Sequence, residues 1–283
     1  LEAAELALDC LSAVGVQPLV IDLADARVLR GVLAGVPLDA AGLQDVAQAF
    51  HAQGKKMVVL LNVGGVIETA SWRDIPDAIV LAWLPGQEAG HAVADVLSSK
   101  VNPSGKLAVT FPAKYTDLPS SSNFPGKVLI PKDPNDRNPM AGDQAAEIEY
   151  TDGLNVGYRY YDQSKVASAY PFGYGLSYTE FSYSAPQVSL VGKDQVNIAI
   201  DVRNNGKVAG KESVQVYLAT PKTSAKSVVK ELRGFAKTKL LSPGEQQTLQ
   251  LSLKGMDLAS YDVQNAAWVI PAGQYQVLIG ASS

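Results

Sequence analysis

The sequence predicts two units in one chain: an open, mostly parallel α/β sheet sandwiched by helices, followed by an all-β sandwich. Three observations carry this. Residues 55–62 and 78–83 read as strands that are apolar on both faces, the pattern of parallel strands covered by helices. Helical-period segments with short connections separate the strands, giving a β-α-β-α-β order over residues 16–112 and right-handed crossovers. After residue 181 the pattern becomes strict apolar–polar alternation in short runs divided by turn residues. At 283 residues the chain exceeds the usual ~100–200 per domain, in keeping with two units. The expected division is an α/β domain over 1–115, a long loop and aromatic-rich connection over 116–180 that closes it, and the sandwich over 181–283.

Composition narrows the partners. Hydrophobic residues make up 47% and charged residues 18%, enough apolar material for a core. A net charge of −4 without any cluster of Lys and Arg argues against nucleic acid or an anionic membrane surface as partner. No run of about eighteen apolar residues predicts a membrane span, and the first residues carry no signal-peptide pattern. The single cysteine, Cys10, excludes an internal disulfide and a Cys-rich metal site and reads as a small buried hydrophobe. No cofactor is implied.

In chain order, residues 2–13 have a helical period with acidic residues in the first turns, and Gly15 ends the segment. Residues 16–23 read as a short buried strand with Pro18 near its start. Residues 24–38 fit a loop or a short helix equally. Residues 37–54 form a firmer helix: Leu43, Val46, Ala47 and Phe50 make one stripe, Asp39 suits the N-cap and Gly54 suits a left-handed C-terminal position. His51 then falls in the last turn, where a hydrogen bond or positive charge is structurally useful. The Gly-Gly pair after the strand at 55–62 lacks Gly-x-Gly-x-x-Gly spacing, which removes a dinucleotide site.

The strand at 78–83 leads through Pro85-Gly86 to a helix over 87–97, and Asn102-Pro-Ser-Gly105 then turns into a further strand reaching Pro112. Glu88 lies at the helix start, placed to cap it or to face the crevice at the strand's carboxyl end, and His91 follows three residues on. Two such ligands are too few for a metal site, so capping and solvent exposure are expected. Residues 113–170 lose periodicity and are rich in Pro, Asn, Ser and Asp. Within and beyond them, Gly157-Tyr-Arg-Tyr-Tyr-Asp162 and Tyr170-Pro-Phe-Gly-Tyr-Gly-Leu-Ser-Tyr-Thr-Glu-Phe181 concentrate aromatic side chains. Aromatic faces beside hydrogen-bonding groups suit a pyranose, and they equally suit a junction between domains; composition leaves both open. Alternating strands follow at 195–203, 212–218, 230–240, 246–253, 267–270 and 274–279, with Asn204-Asn-Gly, Ser242-Pro-Gly and Pro271-Ala-Gly as turns. About seven strands in this order make an immunoglobulin-like or fibronectin type III-like sandwich, read as a stabilising or docking module.

Five linked segments carry a resemblance. Gly54-Lys-Lys-Met-Val-Val-Leu-Leu-Asn, Trp83-Leu-Pro-Gly-Gln-Glu-Ala-Gly, Val101-Asn-Pro-Ser-Gly-Lys-Leu, Gly157-Tyr-Arg-Tyr-Tyr-Asp162 and Pro171-Phe-Gly-Tyr-Gly-Leu-Ser-Tyr-Thr occur in the order and approximate spacing of the C-terminal half of glycoside hydrolase family 3 β-glucosidases, which residues 40–283 resemble. The resemblance implies an α/β sandwich domain and a fibronectin type III-like domain, in a protein that begins with a (β/α)8 barrel and is periplasmic or secreted. It also implies a retaining enzyme with a nucleophilic Asp on the barrel and an acid/base Glu on a loop of the α/β domain. The loop after the strand at 16–23 reads Ile21-Asp-Leu-Ala-Asp-Ala-Arg-Val-Leu-Arg, without the Ser-Gly-Glu-Gly type run of the family. Asp25, two residues before Arg27, is the carboxylate nearest by position to the acid/base.

Two expectations of different class follow. In one, the chain is the C-terminal region of a retaining β-glucosidase acting on terminal β-D-glucosyl residues, inactive alone because the nucleophile-bearing barrel is absent; its partners are a β-glucoside or oligosaccharide substrate and a barrel domain. In the other, it is a non-catalytic carbohydrate-binding or scaffold module.

Overall fold

The structure is a computed structural model that describes residues 20–23, 40–124, 126–130, 133, 135, 145–221 and 228–283, with backbone alone for 20–23 and 40–41. The expected first helix, Cys10, Asp39 and the segment 24–38 with Asp25 lie outside the described residues.

The first unit is built on a parallel sheet of three strands in the order β1 (Val20–Leu23), β2 (Met57–Leu61), β3 (Ala78–Leu81). Strand β2 is central and its Met57, Val59, Leu60 and Leu61 are all buried, as a run apolar on both faces requires. Helix α1 (Ala40–His51) joins β1 to β2. It ends where the sequence says it must: Gly54 has φ +70°, and the Lys55 amide reaches back to the Phe50 carbonyl, closing the last turn. Strands β2 and β3 are joined by turns at 69–75 and not by a regular helix. After β3 a short 3-10 turn (Gly86–Glu88) leads into helix α2 (Ala89–Leu97), which buries Gly90, Val93 and Ala94.

The strand expected after Gly105 does not extend this sheet. Only β4 (Phe111–Pro112) is extended, and it pairs antiparallel with β7 (Ser168–Tyr170). The reason is a competing partner: the Leu107 amide donates to the Tyr174 carbonyl and its own carbonyl accepts from Gly173, so the Pro171-Phe-Gly-Tyr stretch takes the ladder positions. Between β4 and β7 lie an exposed hairpin of β5 (Lys127–Ile130) and β6 (Ala145–Glu147), and helix α3 (Tyr158–Ser164).

The second unit is a sandwich. One sheet holds β13 (Gln246–Lys254), β10 (Gln195–Asn204) and, along the other side of β10, β8 (Phe181–Tyr183) and β9 (Gln187–Val191). The other has the order β12 (Glu231–Lys237), β11 (Ser213–Ala219), β16 (Gln276–Gly280). Alternation sets the core. Ile198, Ile200 and Val202 from β10 meet Val214, Val216 and Leu218 from β11, each at 2% exposure or less. Each such side chain gains about 1.5–3 kcal/mol from burial. A four-residue helix α4 (Gly255–Leu258) follows β13. The run expected as a strand at 267–270 forms β15 (Ala267–Val269), which among the described residues pairs only with β14 (Ser260–Asp262), in a hairpin apart from the two sheets. Tyr261 and Trp268, directly opposite and in edge-to-face contact at 5.4 Å, hold that hairpin together.

Candidate functional site

Two places answer to the sequence-predicted chemistry. The first is the carboxyl edge of the parallel sheet, where open α/β sheets bind ligands. The parallel register, with Leu23 opposite Leu60, puts the ends of β1, β2 and β3 together at this edge. Asp25 lies outside the described residues. The neighbouring turns touch: a Cβ on Gly64 would lie 3.5 Å from Leu84 Cδ1. Trp83 takes φ +57°, a left-handed conformation that costs a non-glycine residue about 1–2 kcal/mol. Its ring packs 6.3 Å from Phe111, while Leu84 is thrown outward to 74% exposure.

Glu88 and His91 stand at the start of α2. Glu88 makes no side-chain cap; its Oε2 pairs instead with His91 Nδ1 at 3.1 Å, and both side chains are largely exposed. One i,i+3 pair in solvent contributes little and leaves these groups as a solvated couple. Among the described residues, no group of three or more His, Cys, Asp and Glu is arranged to hold a metal ion. His51 is structural, as its position predicts. Its Nε2 lies 2.8 Å from Asp77 Oδ2, an oxygen that also accepts the Met57 amide at 2.8 Å, and Lys56 Nζ donates to Oδ1 at 2.9 Å. The Lys56 hydrogen bond above all, then those from the Met57 amide and His51, hold the Asp77 carboxyl well below the usual carboxylate range. Asp77 thus ties the end of α1 to the starts of β2 and β3.

The second place is the aromatic segment, and the structure decides its role. The Tyr158 hydroxyl accepts from the Leu232 amide at 2.8 Å, and its ring contacts Phe172 and Tyr217 at 5.1 and 5.7 Å. Arg159 Nη1 pairs with Glu231 at 2.9 Å, Glu231 also pairs with Arg233, and Asp162 lies 3.4 Å from Lys230. Helix α3 is therefore clamped onto β11 and β12 of the sandwich. The Asn102-Pro-Ser-Gly-Lys106 turn does the same from the other side. Asn102 Oδ1 accepts from Ser177 Oγ and the Tyr178 amide, and its Nδ2 donates to the Ala209 carbonyl. Lys106 reaches both the Gly175 carbonyl at 2.8 Å and the buried Glu212 carboxylate at 3.2 Å, and Lys237 donates to the Ser104 carbonyl.

This contact buries a sheet face that alternation alone assigns to solvent. Gln215 and Tyr217 point away from the sandwich core, yet they are 5% and 2% exposed. Gln215 is held within the sandwich by accepting from the Tyr217 hydroxyl and donating to the Ala281 carbonyl. Gly173 permits the approach: at φ +83°, a Cβ there would sit 2.3 Å from the Gln215 side chain. Burial pushes the Tyr161 phenol up to about 12 and moves those of Tyr158, Tyr183 and Tyr217 upward too, so these groups remain neutral hydroxyls near pH 7. Of the two roles left open for these aromatics, domain junction is the one their geometry meets. Sequence reasoning also missed Asn204. Read as a turn residue, it is fully buried, its Oδ1 accepting from Thr179 and the Gly206 amide and its Nδ2 donating to the Val208 and Leu241 carbonyls. An Asn-Asn-Gly turn carries no signal that its first side chain points inward.

Comparison with known proteins agrees with both halves of this architecture. The model described as the glycosyl hydrolase family 3 C-terminal domain matches residues 36–178, and that of a fibronectin type III-like domain matches residues 212–283. Beta-glucosidase B of Emericella nidulans is 40% identical over 248 residues, covering 87% of this chain and 28% of that protein. The thermostable beta-glucosidase B of Acetivibrio thermocellus is 43% identical over 238 residues, covering 82% of this chain and 29% of that protein. Beta-glucosidase 3B from Thermotoga neapolitana, solved in complex with glucose, superposes with a TM-score of 0.75 at 45% identity over 86% of this chain and 32% of that one. The chain thus spans under a third of the length of these relatives.

Proposed function

Because the chain belongs to glycoside hydrolase family 3, we propose that it is the C-terminal region of a retaining β-glucosidase that hydrolyses terminal non-reducing β-D-glucosyl residues. The observation that carries the proposal is the match of residues 36–178 to the family's C-terminal domain in a chain that spans only 28% of a β-glucosidase relative. In this reading a barrel domain supplies the nucleophile, and the carboxyl edge of β1–β3 faces it. Retaining hydrolysis needs a second carboxylic acid about 5–5.5 Å from the nucleophile, which protonates the leaving oxygen and then activates water. The segment leaving β1 is where this unit offers one, and Asp25 is the carboxylate assigned to the task. The junction described above keeps the sandwich and the α/β unit together while that edge meets the barrel.

Trans-complementation tests the reading. The chain is mixed with a homologous family 3 barrel domain, and release of nitrophenol from an aryl β-glucoside is followed. Restored turnover supports it, and a mixture that binds but never turns over contradicts it. In a complemented enzyme, Asp25→Asn should lower turnover by about 10²–10⁴, the loss typical of a removed general acid. An unchanged rate removes Asp25 from the role. The second reading, a non-catalytic carbohydrate-binding or scaffold module, is favoured by one observation: the run Asp22-Leu-Ala-Asp-Ala-Arg27 holds neither the glutamate nor the glycines of the family's acid/base loop.

A further inference from the structure

The turn that leaves β10 carries the one Asn-Gly pair of the sequence, Asn205-Gly206. Asparagine followed by glycine is the pair in which a main-chain nitrogen reaches the neighbouring side-chain amide most readily, because glycine puts no Cβ in the way. Here packing requires the glycine. A Cβ on Gly206 would lie 2.2 Å from Thr179 Oγ1 and 2.9 Å from the Glu180 amide nitrogen, so no larger residue fits. Asn205 itself is exposed, and its main-chain amide donates to the Glu180 carbonyl at 2.8 Å. The nitrogen that would attack is held. The Gly206 amide donates at 3.1 Å to Oδ1 of the buried Asn204, an oxygen that also accepts from Thr179 Oγ1 at 2.6 Å. Asn204 Nδ2 is fixed in turn by the Val208 and Leu241 carbonyls at 2.8 and 2.9 Å. A reactive pair is thus imposed by one contact and restrained by the side chain next to it.

We propose that Asn205 is a site of deamidation and isoaspartate formation, suppressed in the folded protein by the Asn204 side chain, which holds the Gly206 N–H. The chemistry needs only water. The Gly206 nitrogen gives up its proton and forms a bond to Asn205 Cγ; the Cγ–Nδ2 bond breaks, and Nδ2 leaves as ammonia with that proton. The cyclic imide left behind joins Cγ and the Asn205 main-chain carbonyl carbon through the Gly206 nitrogen. Water then opens it at either carbonyl, its hydroxyl going to the carbon and its proton to the nitrogen. Cleavage at Cγ leaves aspartate. Cleavage at the main-chain carbonyl leaves isoaspartate, with the main chain running through Cγ and lengthened by a methylene. While the Asn204 bond stands, the Gly206 proton is engaged and the turn is fixed; local opening lifts both restraints. The lengthened chain no longer matches the contacts of Gly206 with Thr179 and Asn204, so the product weakens the tie between the end of β10 and the segment that enters β8.

The test ages the full chain at mildly alkaline pH, folded in buffer and unfolded in concentrated urea. Peptide mass spectrometry reads the amide-to-acid mass gain at residue 205, and isoaspartyl methyltransferase labelling reads the isoaspartate. The mass gain separates this site from Asp152-Gly153, where isoaspartate forms without loss of ammonia. Unfolded chain should accumulate product at residue 205 at least about tenfold faster than folded chain. Asn205→Gln, whose longer side chain closes the ring far more slowly, should remove the signal in both states. Asn204→Ala frees the Gly206 amide and should bring the folded-state rate toward the unfolded one. Should that variant not fold, wild type in sub-denaturing urea answers the same question: the rate at residue 205 should rise in step with hydrogen exchange of the Gly206 amide. Equal rates in folded and unfolded wild type overturn the inference, as does an unfolded chain that spares Asn205. A folded-state rate indifferent to both Asn204→Ala and the opening of the Gly206 amide overturns the role of Asn204. These readouts involve no glycoside hydrolysis, so they stand apart from the complementation assay.

Discussion

Asp77 shows how much one side chain fixes in the α/β unit. Its carboxylate meets Lys56, His51 and the Met57 amide at once; the amide bond is part-buried, whereas the Lys56 and His51 contacts are exposed and screened by water. Asp77→Asn should cost about 1.5–3 kcal/mol, seen as a Tm lowered by several degrees. The pH dependence has a fixed sign. With its folded-state value depressed below the unfolded value of about 3.9, Asp77 contributes fully above that pH and loses its contribution as pH falls from there through the depressed folded-state value. The Tm gap between wild type and variant should therefore be constant near neutrality and close below about pH 4; a gap that widens on acidification contradicts the assignment. At Gly173, φ +83° and the 2.3 Å approach to Gln215 act together, so Gly173→Ala should destabilise by more than about 2 kcal/mol in denaturant titrations. At this scale the sequence was legible where a local rule applies: Gly54 as the end of α1 and His51 in its last turn were both readable. Asp77 and Asn204 were not, because their partners lie in strands and turns distant in sequence.

Among the elements, β10, β11 and β13 were readable from alternation and β2 from its apolar run, since each pattern follows from which faces are covered. Strand β4 was not, because its pairing with β7 and the hold of Gly173 and Tyr174 on Leu107 are contacts across more than fifty residues. Three of the five segments that carry the family resemblance, around Asn102, Tyr158 and Phe172, meet where α3 and the Asn102 turn are clamped onto β11 and β12. Their spacing marks the joint between two units and not a catalytic cluster. The buried outer face of β11, with Gln215 and Tyr217, gives that joint an energetic consequence. Separating the units would expose Tyr217, strand the Lys106–Glu212 pair and free the Leu232 amide. Calorimetry of the chain should accordingly show one cooperative transition, with the calorimetric and van't Hoff enthalpies close to equal, and residues 40–180 expressed alone should not melt cooperatively. Two separated transitions contradict the joint.

For the whole molecule, the family and the fold rest on matches along most of the chain, while the proposed chemistry rests on one short run after β1. The two differ in how they are encoded. A fold is written redundantly, in every strand and turn, and it survives local change. A catalytic acid is a single residue, and the run after β1, Asp22-Leu-Ala-Asp-Ala-Arg27, holds neither a glutamate nor a glycine. The central claim is that this chain is one part of a two-part active site. The most direct measurement is the rate of aryl β-glucoside hydrolysis by the purified chain, first alone and then with a family 3 barrel domain added in trans. The account predicts no turnover above background alone and measurable turnover in the mixture; hydrolysis by the chain alone, abolished by no barrel-directed inactivator, would contradict it.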